Sequence, residues 1–187
     1  MKITTTPLDG VIVLEPVVYG DERGYFLETW SRQRYIDAGI TADFCQDNTS
    51  CSGKGILRGL HYQYPDPQGK LVSVASGEVF DVAVDIRLGS PTFGKNFGAI
   101  LSEQNHKQMY IPPGFAHGFC VLSDAARFAY KCTAYFNARY DRGIAFDDPD
   151  IDVAWPVDNP LVSQKDSSSP RLADIPHDNL PKFGEAF

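Results

Sequence analysis

Lys70-Leu71-Val72-Ser73-Val74-Ala75-Ser76-Gly77-Glu78-Val79-Phe80-Asp81-Val82-Ala83-Val84-Asp85-Ile86-Arg87 decides the fold class. Valine recurs through both halves, and a Ser-Gly pair separates them. Lys70 to Ala75 is expected to be a strand, Ser76-Gly77 the turn, and Glu78 to Arg87 the return strand. Alternate residues of a strand face the same way. Asp81 and Asp85 therefore share a face with Val79 and Ala83. A carboxylate turned inward needs a partner, so Asp81 is a candidate to pair with a cation or a histidine.

The same rhythm runs outward along the chain. Val11 to Leu14 and Tyr25 to Trp30 read as strands, with Asp21-Glu22-Arg23-Gly24 as a turn between them. Ser31 can cap a helix through about Ala38, and Gly39 stops it. From Phe44 onward short strands alternate with Gly and Pro turns: Ile100 to Leu101, Gln108 to Ile111, Gly118 to Leu122 and Arg127 to Phe136. On the last of these, Phe128, Tyr130, Cys132, Ala134 and Phe136 share the expected interior face. Many short strands at close spacing imply a mainly β fold, a sandwich or barrel. Past Ile144 the chain becomes irregular and rich in Asp and Pro, and Ser167-Ser168-Ser169-Pro170 opens a polar tail. No internal repeat or domain boundary interrupts residues 1–187.

The net charge is -7. A general nucleic-acid binder carries a basic excess, so that class is disfavoured. A small anion needs only a local cluster of Arg and Lys. Cys45, Cys51, Cys120 and Cys132 form no Cys-x-x-Cys pair, which weakens a zinc or redox reading. The N-terminus has no apolar signal region, and no apolar run is long enough to span a membrane. These features suit a cytoplasmic protein with reduced thiols.

Two histidines carry the chemistry. His61 follows Arg58-Gly59-Leu60, and His117 follows Pro112-Pro113-Gly114-Phe115-Ala116. A lone histidine is most often a satisfied structural residue. Together, however, these segments resemble the two motifs of the cupins, small jelly-roll β-barrels. Gly55-x5-His61 fits the first motif and Pro112-x-Gly114-x2-His117 the second. Metal-binding cupins place a second His where this chain has Gln63, and a Glu where it has Lys70. An ammonium at a ligand position repels a divalent ion, so no metal is expected. Lys70 suits instead the stabilisation of a developing oxyanion.

The chain resembles one family nearly end to end, from about residue 3 to 170: the dTDP-4-dehydrorhamnose 3,5-epimerases. The segments that carry the resemblance include Asp21-Glu22-Arg23-Gly24-Tyr25-Phe26-Leu27-Glu28, Gln46-Asp47-Asn48, Leu57-Arg58-Gly59-Leu60-His61-Tyr62-Gln63, Gln68-Gly69-Lys70, Gly77 to Arg87, Tyr130-Lys131 and Ser163-Gln164-Lys165-Asp166. It implies a cupin-type jelly-roll barrel of about residues 44–146, N-terminal strands that cross to a partner in a homodimer, and a tail from about 147. It also implies a cofactor-free isomerase acting on a dTDP-linked 4-keto-6-deoxy sugar. His61 is then the base, Asp166 its orienting partner, Tyr130 the acid on the far face, and Lys70 the enolate stabiliser with help from His117 or Asp81. Arg23, Arg58 and Lys165 fall at diphosphate and nucleotide positions. Glu28, Gln46, Asp47 and Asn48 line the nucleotide pocket, and Phe26 stacks there, so that Arg23 and Phe26 serve the neighbouring subunit. Asp141 stands where the family usually has Glu, and Phe136 where many members have a thymine-stacking Tyr.

Strand parity sets Arg58 against this picture. It has the opposite parity to His61 and points away from the same cavity, unless the chain bends at Gly59 or Arg58 serves across a dimer. Three other functions remain open at this stage: a single-centre epimerase or ketoisomerase, a metal-dependent cupin oxygenase, and a non-catalytic sugar-nucleotide binder.

Overall fold

The computed structural model describes residues 1–186. The strands, in chain order, are β1 (Lys2–Thr5), β2 (Ile12–Glu15), β3 (Val18–Asp21), β4 (Gly24–Leu27), β5 (Gln46–Gly53), β6 (Leu57–Gln63), β7 (Lys70–Ser76), β8 (Glu78–Asp85), β9 (Asn96–Ser102), β10 (Gln108–Ile111), β11 (Phe115–Val121), β12 (Ala125–Cys132) and β13 (Asp141–Gly143). Helix α1 (Arg32–Asp37) follows Ser31, and α2 (Gln164–Ser167) lies in the C-terminal stretch.

Two antiparallel sheets face each other. One has the order β1-β2-β10-β7-β12-β5 and the other β13-β6-β11-β8-β9; β3 and β4 form a separate hairpin. The expected β7–β8 hairpin does not form, because β7 pairs with β10 and β12 whereas β8 pairs with β9 and β11. Gly77 takes the chain from one sheet to the other. Its φ is +81°, and a Cβ there would lie 2.1 Å from the Ala125 carbonyl oxygen. Glycine alone tolerates both conditions. The Glu78 N–H is taken up by the Ser123 hydroxyl at 2.8 Å.

Three apolar layers result. Between the sheets lie Val72, Val74, Val79, Ala83, Phe115, Phe119, Val121 and Phe128. Outside the six-stranded sheet, Tyr35 and Ile40 from the α1 region cover Leu14, Leu71 and Tyr110. Outside the five-stranded sheet, Ile151, Leu172, Ile175 and Leu180 cover Leu60, Val82, Val84, Ile86, Ala116 and Ile144. The stretch past Ser167 is therefore no loose polar tail. Its sparse apolar residues are spaced to reach an otherwise naked sheet face, and burying each such side chain contributes on the order of 1.5–3 kcal/mol.

Strand β12 ends at Cys132, four residues before the expected end. Thr133 to Asn137 is a loop, so Phe136 leaves the inward face and stands 56% exposed.

Candidate active site

The site is built on the inner faces of both sheets. On the five-stranded side, His61 of β6 lies directly across from His117 of β11. A bulge beside them resolves the parity of Arg58. Arg58 opposes Phe119 and His61 opposes His117, so Gly59 and Leu60 together face Gly118. The extra residue inverts the alternation and turns Arg58 to the same side as His61. Only glycine fits at the bend: Gly59 has φ +125°, and a Cβ would meet the Gly118 Cα at 2.6 Å. Arg58 then donates from Nε to the Ser52 hydroxyl, 3.1 Å away on β5 of the other sheet.

His61 and Asp166 meet at 2.6 Å, Nε2 to Oδ1. Asp166 is delivered by the C-terminal stretch. Leu161 makes backbone hydrogen bonds with Gly55 and Leu57, then Ser163 caps α2 by accepting the Asp166 N–H at 3.1 Å. Burial pushes the Asp166 carboxyl up. The His61 hydrogen bond and charge, the Gly59 N–H and the Ser163 cap outweigh burial and hold it below the usual carboxylate range. An ionised Asp166 can only accept, so the His61 proton sits on Nε2 and the Nδ1 lone pair is left free.

Asp81 is fully buried and accepts from His117 Nε2 at 2.9 Å, the inward carboxylate–histidine pair that strand parity anticipates. Burial lowers the His117 pKa, and Lys70 and His61 lower it further, against the opposing pull of Asp81. His117 stacks on Phe128 with ring centres 5.9 Å apart, and Phe128 lies 5.9 Å from Tyr130. This aromatic column joins the histidine wall to the six-stranded sheet.

On that opposite wall stand Tyr130 and Lys70. Lys70 Nζ lies 5.8 Å from the centre of the Tyr130 ring, and Lys70 is cross-strand neighbour to Cys132. Among the described residues, no carboxylate forms an ion pair with Lys70; burial lowers its pKa, with Cys132, Asp81 and Asp141 pulling the other way. Burial raises the Tyr130 pKa, as do Cys132 and Asp141, with Arg58 opposing. Tyr130 is thus a protonated phenol at neutral pH.

Gln46 and Asn48 face inward as the cross-strand partners of Cys132 and Tyr130. Asp47 points the other way and pairs with Lys131 at 2.9 Å on the outer face. Asp141 pairs with Lys165, the residue before Asp166. Glu28 pairs with Arg34 of α1 at 3.2 Å. Arg23 pairs with Asp21, and Phe26 is 69% exposed, both on the β3–β4 hairpin. Within one chain Arg23, Phe26, Glu28 and Asp47 are therefore not gathered with His61. Sequence reasoning gave no role to Ser52, which holds Arg58, or to Ser163, which caps the helix carrying Asp166; the Ser163-x-x-Asp166 spacing is the signal that could have found the second, while strand alternation had already set Phe128 beside Tyr130.

The donor set does not suit a divalent cation. Gln63, at one cupin ligand position, spends its amide on backbone groups, and Lys70 sets an ammonium at another. What the arrangement can do is handle protons from two sides of a bound ring, with a cation beside Tyr130 for a negative oxygen.

Comparison with known proteins agrees along the chain. The family model described as dTDP-4-dehydrorhamnose 3,5-epimerase matches residues 5–174. The dTDP-4-dehydrorhamnose 3,5-epimerase of Shigella flexneri is 51% identical over 176 residues, 93% of this chain and 97% of its own length. The crystal structure of dTDP-6-deoxy-D-glucose-3,5-epimerase RmlC from Legionella pneumophila Philadelphia 1, in complex with dTDP-4-keto-L-rhamnose, superposes with a TM-score of 0.96 at 51% identity, covering 98% of this chain and 99% of that one. ChmJ, a 3'-monoepimerase from Streptomyces bikiniensis solved with dTDP-quinovose, is more distant, at 33% identity and a TM-score of 0.84 over 90% of this chain and 88% of that one. Sharing half its residues and the same barrel over nearly its whole length, the chain belongs to the dTDP-4-dehydrorhamnose 3,5-epimerase family.

Proposed function

We propose that the protein inverts C3 and C5 of dTDP-4-dehydro-6-deoxy-D-glucose, giving dTDP-4-dehydro-L-rhamnose. The observation that carries this reading is the opposition of the His61–Asp166 pair on one wall to Tyr130 and Lys70 on the other. Both C3–H and C5–H are α to the C4 ketone. Removing either proton gives an enolate, and returning a proton to the opposite face inverts the centre. No hydride moves, so the step needs no redox cofactor. His61 takes the proton on Nδ1 while Asp166 steadies the resulting imidazolium. Lys70, partly buried on the inner wall, stabilises the enolate oxygen. His117, held by Asp81, lies on the same path. Tyr130 returns a proton from the far side.

Arg58 and Lys165 supply positive charge for the diphosphate. Gln46, Asn48 and Phe136 suit the nucleoside, and Asp141 positions Lys165. The remaining groups come from a second copy. The β3–β4 hairpin exposes Val18, Tyr19, Tyr25 and Phe26, an apolar surface a monomer would not keep bare. In a homodimer this hairpin carries Arg23 and Phe26, with Glu28 after it, to the partner's nucleotide site. Four free thiols suit a reducing compartment, the cytoplasm. None of the described helices is long and apolar enough to cross a membrane.

The test is product stereochemistry. Proton couplings in the NMR spectrum of the product should show inversion at both C3 and C5. Inversion at C3 alone would favour the single-centre activity that ChmJ's name describes. An unchanged sugar would overturn the proposal.

A further inference from the structure

Gln63 replaces a metal ligand of the related barrels, and the chemistry above leaves it no part. Its side chain is nonetheless buried and fully employed. It lies two residues beyond His61 on β6. Nε2 donates to the Asp66 carbonyl at 2.6 Å and to the Tyr135 carbonyl at 3.2 Å. Oε1 accepts the Asn137 N–H at 2.8 Å. The last two bonds bracket Phe136 in sequence, and the Phe136 N–H is itself accepted by Gln46 Oε1 at 2.9 Å. Below them Gln68 donates to the Ala134 carbonyl at 2.8 Å, and Gly69 N–H to the Thr133 hydroxyl at 2.8 Å. Every residue of the Thr133–Asn137 loop is thus tied down, and Gln63 holds the backbone on both sides of Phe136, whose ring is exposed.

We propose that Gln63 is a positioning residue for the nucleotide half of the site. Its amide fixes the loop that presents Phe136 to the base, and so it sets nucleotide affinity without touching the reacting carbons. The proposal rests on the epimerase reading above, in which Phe136 is the base platform. Only a primary amide meets the demand of two carbonyls and one N–H at this point. A carboxylate would repel both carbonyls, and a thioether would leave three backbone groups unpaired. A fixed loop binds more tightly than one that must order on binding.

The experiment compares Gln63→Glu and Gln63→Met with the wild type, using calorimetric titration with dTDP and steady-state kinetics on the 4-keto sugar nucleotide. Both variants should weaken dTDP binding and raise KM about ten-fold, with kcat within about three-fold of wild type. Repeated in a Phe136→Ala background, the same substitutions should change dTDP affinity less than about two-fold, because the platform is already lost. A fall in kcat at unchanged dTDP affinity would overturn the proposal, as would an undiminished effect without Phe136. If wild-type protein binds dTDP but leaves the sugar unchanged, the epimerase reading fails while the dTDP measurements alone still judge Gln63.

Discussion

His61 Nε2 and Asp166 Oδ1 lie 2.6 Å apart, joining β6 to a short helix 105 residues further along the chain. The pair fixes which imidazole nitrogen is basic. Asp166→Asn keeps the shape but can donate as well as accept, so it no longer enforces that tautomer. The expected loss in kcat is about 100-fold or more, with dTDP affinity within about two-fold. Stopped assays on the purified variant, with dTDP titration alongside, check both.

Lys70 should matter to the enolate and not to the nucleotide. Lys70→Met is expected to slow turnover about 100-fold with dTDP binding retained. Its lowered pKa also sets a pH limb. The ammonium is present at low pH and is lost as pH rises through that lowered value. Wild-type kcat should therefore fall on an alkaline limb below the ordinary lysine range near 10.5. A pH–rate profile measures the limb, and Lys70→Met should abolish it.

Asp85 tests the fold by titration instead. Its buried carboxylate accepts from Arg87, Ser90 and Thr92. Burial raises its pKa, but these bonds outweigh it and hold the group below the usual range. The unfolded chain then binds the proton more readily than the folded one. The stabilisation is complete above the unfolded value near 3.9 and is lost as pH falls through the folded value. Asp85→Asn should destabilise the protein by about 1–3 kcal/mol at pH 7, and the gap should close in acid. Chemical denaturation at pH 7 and pH 3 reads it.

A site shared between subunits predicts complementation. His61→Ala and Arg23→Ala should each be nearly inactive alone. Mixed and allowed to exchange, their heterodimers contain one site with both residues intact, so activity should return to about a quarter of wild type. No recovery after exchange would place Arg23 in its own subunit's site.

Much of this was legible in the chain, and the misses share a cause. Side-chain alternation reports which way a residue faces. It turned Asp81 inward, where His117 meets it, and grouped Phe128 with Tyr130. Alternation says nothing of which strand lies alongside, so Glu78 to Arg87 reads as the return of a hairpin, whereas Glu78–Asp85 belongs to the facing sheet. One inserted residue reverses parity, and the bulge at Gly59 and Leu60 is the bend that the sequence left open as a way to aim Arg58 inward. Thr133 to Phe136 continues a β-like pattern, but the backbone there is claimed by Gln63, Gln68 and Gln46 and leaves the sheet. Leu172, Ile175 and Leu180 are too sparse to announce a packed layer, and that layer is part of what brings Asp166 home.

The central claim is that His61 and Tyr130 exchange protons with two carbons from opposite sides of one ring. Turnover of the 4-keto sugar nucleotide in deuterated water, followed by mass spectrometry and NMR of the product, tests it most directly. Wild-type protein should place solvent deuterium at both C3 and C5, and His61→Ala at neither. Product without deuterium at either carbon, or wild-type exchange in the His61 variant, would contradict it.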